Sequence, residues 1–198
     1  MTKQSEVASW ELSDELWSKI EPLMPKPKTR LRGRGKQKKN IGGRPSADRG
    51  KTMGGILYVL RAGCQWNAAP AEYGSGKTLH RYFQKWRRGG LFKKMWKAGL
   101  MEYDKVKGID FEWQSVDGAM TKAPLGGEQT GNNPTDRGKS GTKRSLLVDG
   151  RGAPLGIVIS GANRHDSPLL ASTLASIVIA RPETREDNPQ HLCLWLPR

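Results

Sequence analysis

The spacing of apolar residues along this chain changes character near its middle. From Leu12 to Tyr103 they recur at helical intervals. Leu16, Trp17, Ile20 and Leu23 predict a first helix over Leu12 to Met24, with Ser13 as N-cap, Asp14 and Glu15 in its first turn, and Pro22, Pro25 and Pro27 ending it. Leu12 and Trp17 are placed to staple its entrance. Met53, Ile56, Leu57 and Leu60 line a second helix, capped by Ser46 and closed by Gly63. A third follows Gly74-Ser75-Gly76 and runs to Arg88, with Leu79, Tyr82, Phe83 and Trp86 on one face. Phe92, Met95, Trp96, Leu100 and Tyr103 predict a fourth helix that completes the same small core.

Beyond Gly108 the texture is β-branched and apolar runs divided by glycine, so a domain boundary is expected there, giving residues 1–108 and 109–198. Trp113 to Asp117 reads as a strand that breaks at Gly118, followed by a long polar loop from Ala119 to Thr142. Lys143 to Val148 and Leu155 to Ser160 form a hairpin joined through Asp149-Gly150-Arg151-Gly152. Ser167 is the expected cap of a further helix, with Pro168 at its first position and Leu170, Leu174, Ile177 and Val178 buried. A polar linker, Arg181 to Asn188, leads to a last buried strand at His191 to Leu194. The fold class expected is a helical domain followed by a mixed α/β domain.

Charge sharpens the division. Of the formal net charge of +15, residues 1–110 hold +14, from 24 Lys+Arg against 10 Asp+Glu, while residues 111–198 hold +1. Such asymmetry points to a nucleic-acid-binding module joined to a near-neutral domain with another task. Within residues 26–45 lies a basic arm, which includes Arg34, Lys36, Lys38, Lys39 and Arg44, has no acidic residue and is rich in glycine. Free, it is expected to be disordered; it suits phosphates or a minor groove, and equally a solvated linker.

The third predicted helix separates its faces. Lys77, Arg81, Lys85 and Arg88 line up opposite the apolar face, and no acidic residue occurs from Gly74 through Met101. Helix, glycine-containing turn and basic helix make a helix-turn-helix-like arrangement, whose second helix fits the major groove of double-stranded DNA. Other classes are disfavoured. The longest nearly apolar stretch, Leu169 to Ala180, is short and interrupted by Ser172, Thr173 and Ser176, so no membrane span is expected. Glu6 and the lack of an apolar run argue against a signal peptide. Cys64 and Cys193 read as small core residues of a cytosolic protein.

Three carboxylates merit comparison as sites. Asp117 is expected at the tip of a strand, where the sheet fixes the carboxylate and Gly118 admits another chain, a natural metal-ligand platform; Asp-Gly is also a common hairpin turn. Asp149 has a sufficient explanation as a turn residue. His165 and Asp166 are open to a metal or catalytic role, with stabilisation of the helix entrance the preferred reading.

The motifs Leu-Arg-Ala-Gly-Cys-Gln-Trp at 60–66, Val-Asp-Gly at 116–118, Asn-Pro-Thr-Asp-Arg-Gly-Lys at 133–139, Gly-Thr-Lys-Arg-Ser-Leu-Leu-Val-Asp-Gly at 141–150 and Gly-Ala-Asn-Arg-His-Asp at 161–166 together resemble DDE transposases of bacterial insertion sequences, in the insertion-sequence-five group. The resemblance implies a ribonuclease-H-like catalytic domain, Mg²⁺ or Mn²⁺ as cofactor and the terminal inverted repeats of a mobile element as DNA partner, in a bacterial cytoplasm at the nucleoid. Homo-oligomerisation is left open. It also implies that Asp117 is the first of three acidic metal ligands, which together hold two ions for in-line phosphoryl transfer. In the family the strand resembling His191 to Leu194 continues into the second acid, followed by Lys-Gly-Tyr; here that position is Trp195, and the third acid would lie beyond Arg198. The expectation is therefore an incomplete ribonuclease-H-like domain in a truncated or frameshifted chain that binds DNA without cleaving it alone. The alternatives are a non-enzymatic repressor of transposition and the first part of an enzyme completed from a downstream reading frame. In an incomplete sheet, Ile157, Ile159, Leu192 and Leu194 are expected to be poorly buried.

Overall fold

In a computed structural model of the chain, which describes residues 12–26, 31–32, 39–40 and 46–194, Ser13 opens the first helix as its sequence predicts. Its Oγ accepts from the Leu16 N–H at 3.2 Å, and α1 spans Asp14–Ile20. The chain then tightens into a 3-10 turn, Glu21–Leu23, instead of continuing as one α-helix to Met24, because Pro22 has no N–H to extend the ladder. Two short strands, β1 (Leu31–Arg32) and β2 (Lys39–Asn40), pair antiparallel within the arm expected to be disordered. Arg34, Lys36, Lys38 and Arg44 lie outside the described residues.

α2 (Arg49–Ala62) starts two residues later than predicted. Asp48, not Ser46, is its N-cap: the carboxylate accepts from the Lys51 N–H at 2.7 Å. Gly63, at φ 63°, ends the helix in the left-handed conformation that a residue with a Cβ adopts reluctantly. Met53 and Ile56 are fully buried, whereas Leu60 is exposed, so the apolar face is narrower than the periodicity implied. α3 (Gly76–Arg88) is capped by Ser75 and buries Leu79 and Trp86. With Ile20, Met24 and Leu91 these side chains form one core.

α4 (Leu91–Lys107) corrects a second expectation. Leu91, Phe92 and Met95 pack in the first core, but Trp96 and Leu100 pack in a second one with Val116, Leu147, Leu155 and Val178. The chain accordingly separates into two compact units, Met1–Met95 and Trp96–Arg198. The Trp96 indole N–H donates to the Pro154 carbonyl at 2.9 Å, which gives its polar edge a partner within the second unit.

The second unit is built on β3 (Trp113–Lys122), β4 (Gly131–Asn132), β5 (Ser140–Asp149), β6 (Pro154–Gly161) and β7 (His191–Leu194). β5 pairs antiparallel with β3 on one side and with β6 and the short β4 on the other, while β7 pairs parallel with β3. Gly141, Lys143, Ser145, Leu147 and Asp149 are the inward positions of β5, the period-two pattern of a sheet with one covered face. The predicted hairpin forms as expected. The predicted break at Gly118 does not: β3 continues to Lys122, with Gly118 paired to Ser145 and Lys122 to Gly141. Asp117 is mid-strand and not at a tip.

α5 (Asp166–Ala175) begins one residue before Ser167, with His165 at the cap position. It ends before Ile177 and Val178, which reach the second core from the segment after the helix. β7 is not the buried strand expected: Leu192 packs against the core, while His191, Cys193 and Leu194 are exposed because the strand pairs only with β3 among the described residues. Cys193 is thus no core residue, and Cys64 is only half-buried; both thiols are free. Ile157, Ile159 and Leu194 are exposed as expected, and Leu192 is not. Among the described residues, no helix is long and apolar enough to cross a membrane.

Candidate functional site

In the second unit the alternation of β3 sends Asp117 to the open face of the sheet and Gly118 to the face covered by α5. Asp117 is exposed, and its carboxylate accepts from the Gly118 N–H at 2.7 Å. The register sets it beside Leu146 of β5, which pairs in turn with Ile157 of β6; all three are exposed. On its other side β7 reaches Leu194, opposite Val116 and one position short of Asp117. An accessible carboxylate on a rigid central strand can bind a cation or a polar ligand.

The covered face holds a different cluster. Lys143 Nζ meets Asp166 Oδ2 at 3.1 Å, with side chains 8% and 26% exposed. The other oxygen of Asp166 is buried without a hydrogen-bond partner and packs against the Gly118 backbone, where a Cβ would approach it to 2.4 Å. A cavity of about 210 Å³ lies alongside, lined by Val116, Gly118, Ser145, Asp166, Ser167, Leu170 and Leu194. Asp166 is therefore more than a helix-entrance residue: it ties α5 to β5 and occupies the space that glycine leaves on β3. Sequence reasoning missed Lys143 in this role. Its signal was available, since Lys143 shares the inward parity of Ser145 and Leu147.

Asp149 is a turn residue. It is 2% exposed and accepts from the N–H groups of Asp110, Arg151 and Ala153 at 3.2, 3.0 and 2.7 Å, so it is buried in the turn it holds together. His165 is exposed at the entrance of α5. Among the described residues no group of three or more His, Cys, Asp and Glu side chains could hold a metal ion. Asp117 offers one carboxylate, and Asp149 and Asp166 are engaged elsewhere. The described donors thus fall short of a closed divalent site, since a hard cation of this kind is bound through several oxygens.

In the first unit the candidate surface is α3. Lys77, Arg81, Lys85 and Arg88 are all exposed, opposite buried Leu79 and Trp86. Arg81 Cζ and Lys85 Nζ each stand 5.6 Å from the centre of the Tyr82 ring, whose π face attracts cations. The turn before α3 is tightly built: a Cβ on Gly76 would lie 2.4 Å from the Trp66 carbonyl oxygen, so the helix start is held against the Trp66 turn. Lys39 lies in β2.

The described residues thus form a basic helical unit and a mixed α+β unit that carries an accessible carboxylate on a central strand. Comparison with known proteins gives the family. Residues 12–96 match the model described as putative transposase of IS4/5 family, and residues 108–187 match the transposase DDE domain. The chain is 35% identical over 125 residues to the insertion element IS402 uncharacterized 16.2 kDa protein of Burkholderia cepacia, covering 62% of this chain and 80% of that protein. It is also 38% identical over 52 residues to the putative transposase for insertion sequence element IS402 of the same organism, 26% of this chain and 25% of that one. The chain belongs to the IS4/IS5-like transposases. It spans only a quarter of the length of the second relative. No solved structure matches.

Proposed function

We propose that this chain binds double-stranded DNA at the terminal inverted repeats of an insertion element through residues 1–108, and that residues 109–198 contribute part of a ribonuclease-H-like transposase domain. The observation that carries the reading is α3: four cations share one exposed face, and its apolar residues are buried on the other. A helix of this kind fits the major groove, and its cations neutralise flanking phosphates, as in a helix-turn-helix. Lys39 and the arm residues Arg34, Lys36, Lys38 and Arg44 would add phosphate contacts. Protein of this function would act in the bacterial cytoplasm at the nucleoid.

The sheet supports the second half of the reading. A central strand bearing Asp117, antiparallel to a hairpin on one side and parallel to β7 on the other, agrees with the mixed sheet expected of a ribonuclease-H-like domain. Asp117 would be one oxygen ligand of Mg²⁺ or Mn²⁺, which in such enzymes activates the attacking oxygen and stabilises the leaving one. Among the described residues Asp117 belongs to no group of three or more ligating side chains, so this chain by itself would occupy element ends without cutting them. That makes it a competitor of intact transposase, or one portion of an enzyme whose other ligands come from a second polypeptide. The test is binding of the full chain to duplex DNA flanking its own coding region, beside an Arg81→Ala/Lys85→Ala double variant. We expect weaker binding by the variant with unchanged helix content. Equal binding would overturn the assignment of α3.

A further inference from the structure

We infer that Gln84, braced by His80, reads an adenine base in the major groove, so that α3 carries sequence specificity as well as phosphate affinity; this rests on the DNA-binding reading above. The cations of α3 surround Gln84. Arg81 precedes it by three residues and Arg87 follows it by three, which places them about 60° to either side around the helix axis. Lys77 and Arg88 lie within about 40° of it. All four are exposed. If these cations meet the two phosphate walls of a groove, the side chain between them faces the base edges.

The chemistry of that side chain is selective. Gln84 Nε2 lies 3.2 Å from His80 Nε2, one turn earlier on the same face. The imidazole itself is set against Trp66, with ring centres 5.2 Å apart, so an aromatic contact restricts its side chain. Where the imidazole Nε2 accepts, the amide spends one N–H on His80. Its second N–H and its Oε1 remain. That donor and acceptor pair matches the N7 acceptor and N6 amino donor that adenine presents in the major groove. Bracing costs little and removes rotamers that an unbound glutamine would otherwise lose on binding. Gln84 is the reading residue and His80 a positioning residue.

The experiment is enrichment of a randomised duplex library by the full chain, the Gln84→Ala and Gln84→Met variants and the His80→Ala variant, together with affinity for unselected duplex. The parent should enrich a motif containing an adenine whose replacement weakens binding by about tenfold or more. Both Gln84 variants should lose that preference while binding unselected duplex within about twofold of the parent, and His80→Ala should weaken the preference without abolishing it. Enrichment of the same adenine by both Gln84 variants would overturn the inference and leave DNA binding standing. No binding of any duplex by the parent would overturn both. Gln84→Met keeps side-chain length and helix propensity, so loss of the preference in that variant is not a folding effect.

Discussion

At Gly76 an added methyl would sit 2.4 Å from the Trp66 carbonyl oxygen and 2.6 Å from Asn67 Oδ1, whereas at Gly99, in the middle of α4, it would meet nothing within 4 Å. The two glycines therefore do opposite things. Backbone cannot yield as a side chain can, so Gly76→Ala should destabilise by about 1–3 kcal/mol. Gly99→Ala should stabilise by about 0.5–1 kcal/mol through helix propensity alone. Thermal unfolding of the two variants checks both signs, and a loss of stability in Gly99→Ala would contradict the open environment assigned to it. Asp117 also yields a residue-scale prediction. With Asp149 buried and holding three N–H donors, and Asp166 paired to Lys143, the full chain should not nick or join element-end DNA with Mg²⁺ or Mn²⁺. Cleavage by the parent that disappears in Asp117→Ala would mean that a second carboxylate reaches the site.

Among the elements, α3 gives the clearest functional expectation. Each cation that neutralises a phosphate contributes about one counterion to the dependence of binding on salt, so Arg81→Ala/Lys85→Ala should lower the slope of log affinity against log salt by about 2. Far-ultraviolet circular dichroism should be unchanged, since both side chains are exposed and neither belongs to the buried core; an unchanged slope would place these side chains away from DNA. α3 was legible in the sequence because both its faces repeat at helical spacing and Ser75 marks its start. The hairpin β5–β6 was legible for the same reason, with a local turn and period-two burial. β3 was only half legible. Asp117-Gly118 has the composition of a turn, and what carries the strand through it is non-local: Ser145 pairs with Gly118, and Asp166 fills the space above it. The caps show the same limit. Ser46 and Asp48 are both competent caps, as are His165 and Ser167 possible entrances, and only the packed helix fixes which is used.

For the molecule as a whole, the cores were harder to read than the helices. Nothing in the spacing of Met95, Trp96 and Leu100 indicates that one helix serves two cores. The parallel pairing of β7 with β3 joins residues almost eighty positions apart in the chain, Trp113 with His191 for one, and leaves no mark in either segment. The basic character of the first half, by contrast, is a property of composition and was fully visible. It also gives the most direct test of the central claim, that the helical half is a DNA-binding module within an insertion-element transposase chain. The measurement is the affinity of the full chain for a duplex from the flank of its coding region as salt is raised from about 50 to 200 mM. If five or more phosphates are neutralised, affinity should fall by roughly a hundredfold or more. Affinity that stays flat across that range would contradict it.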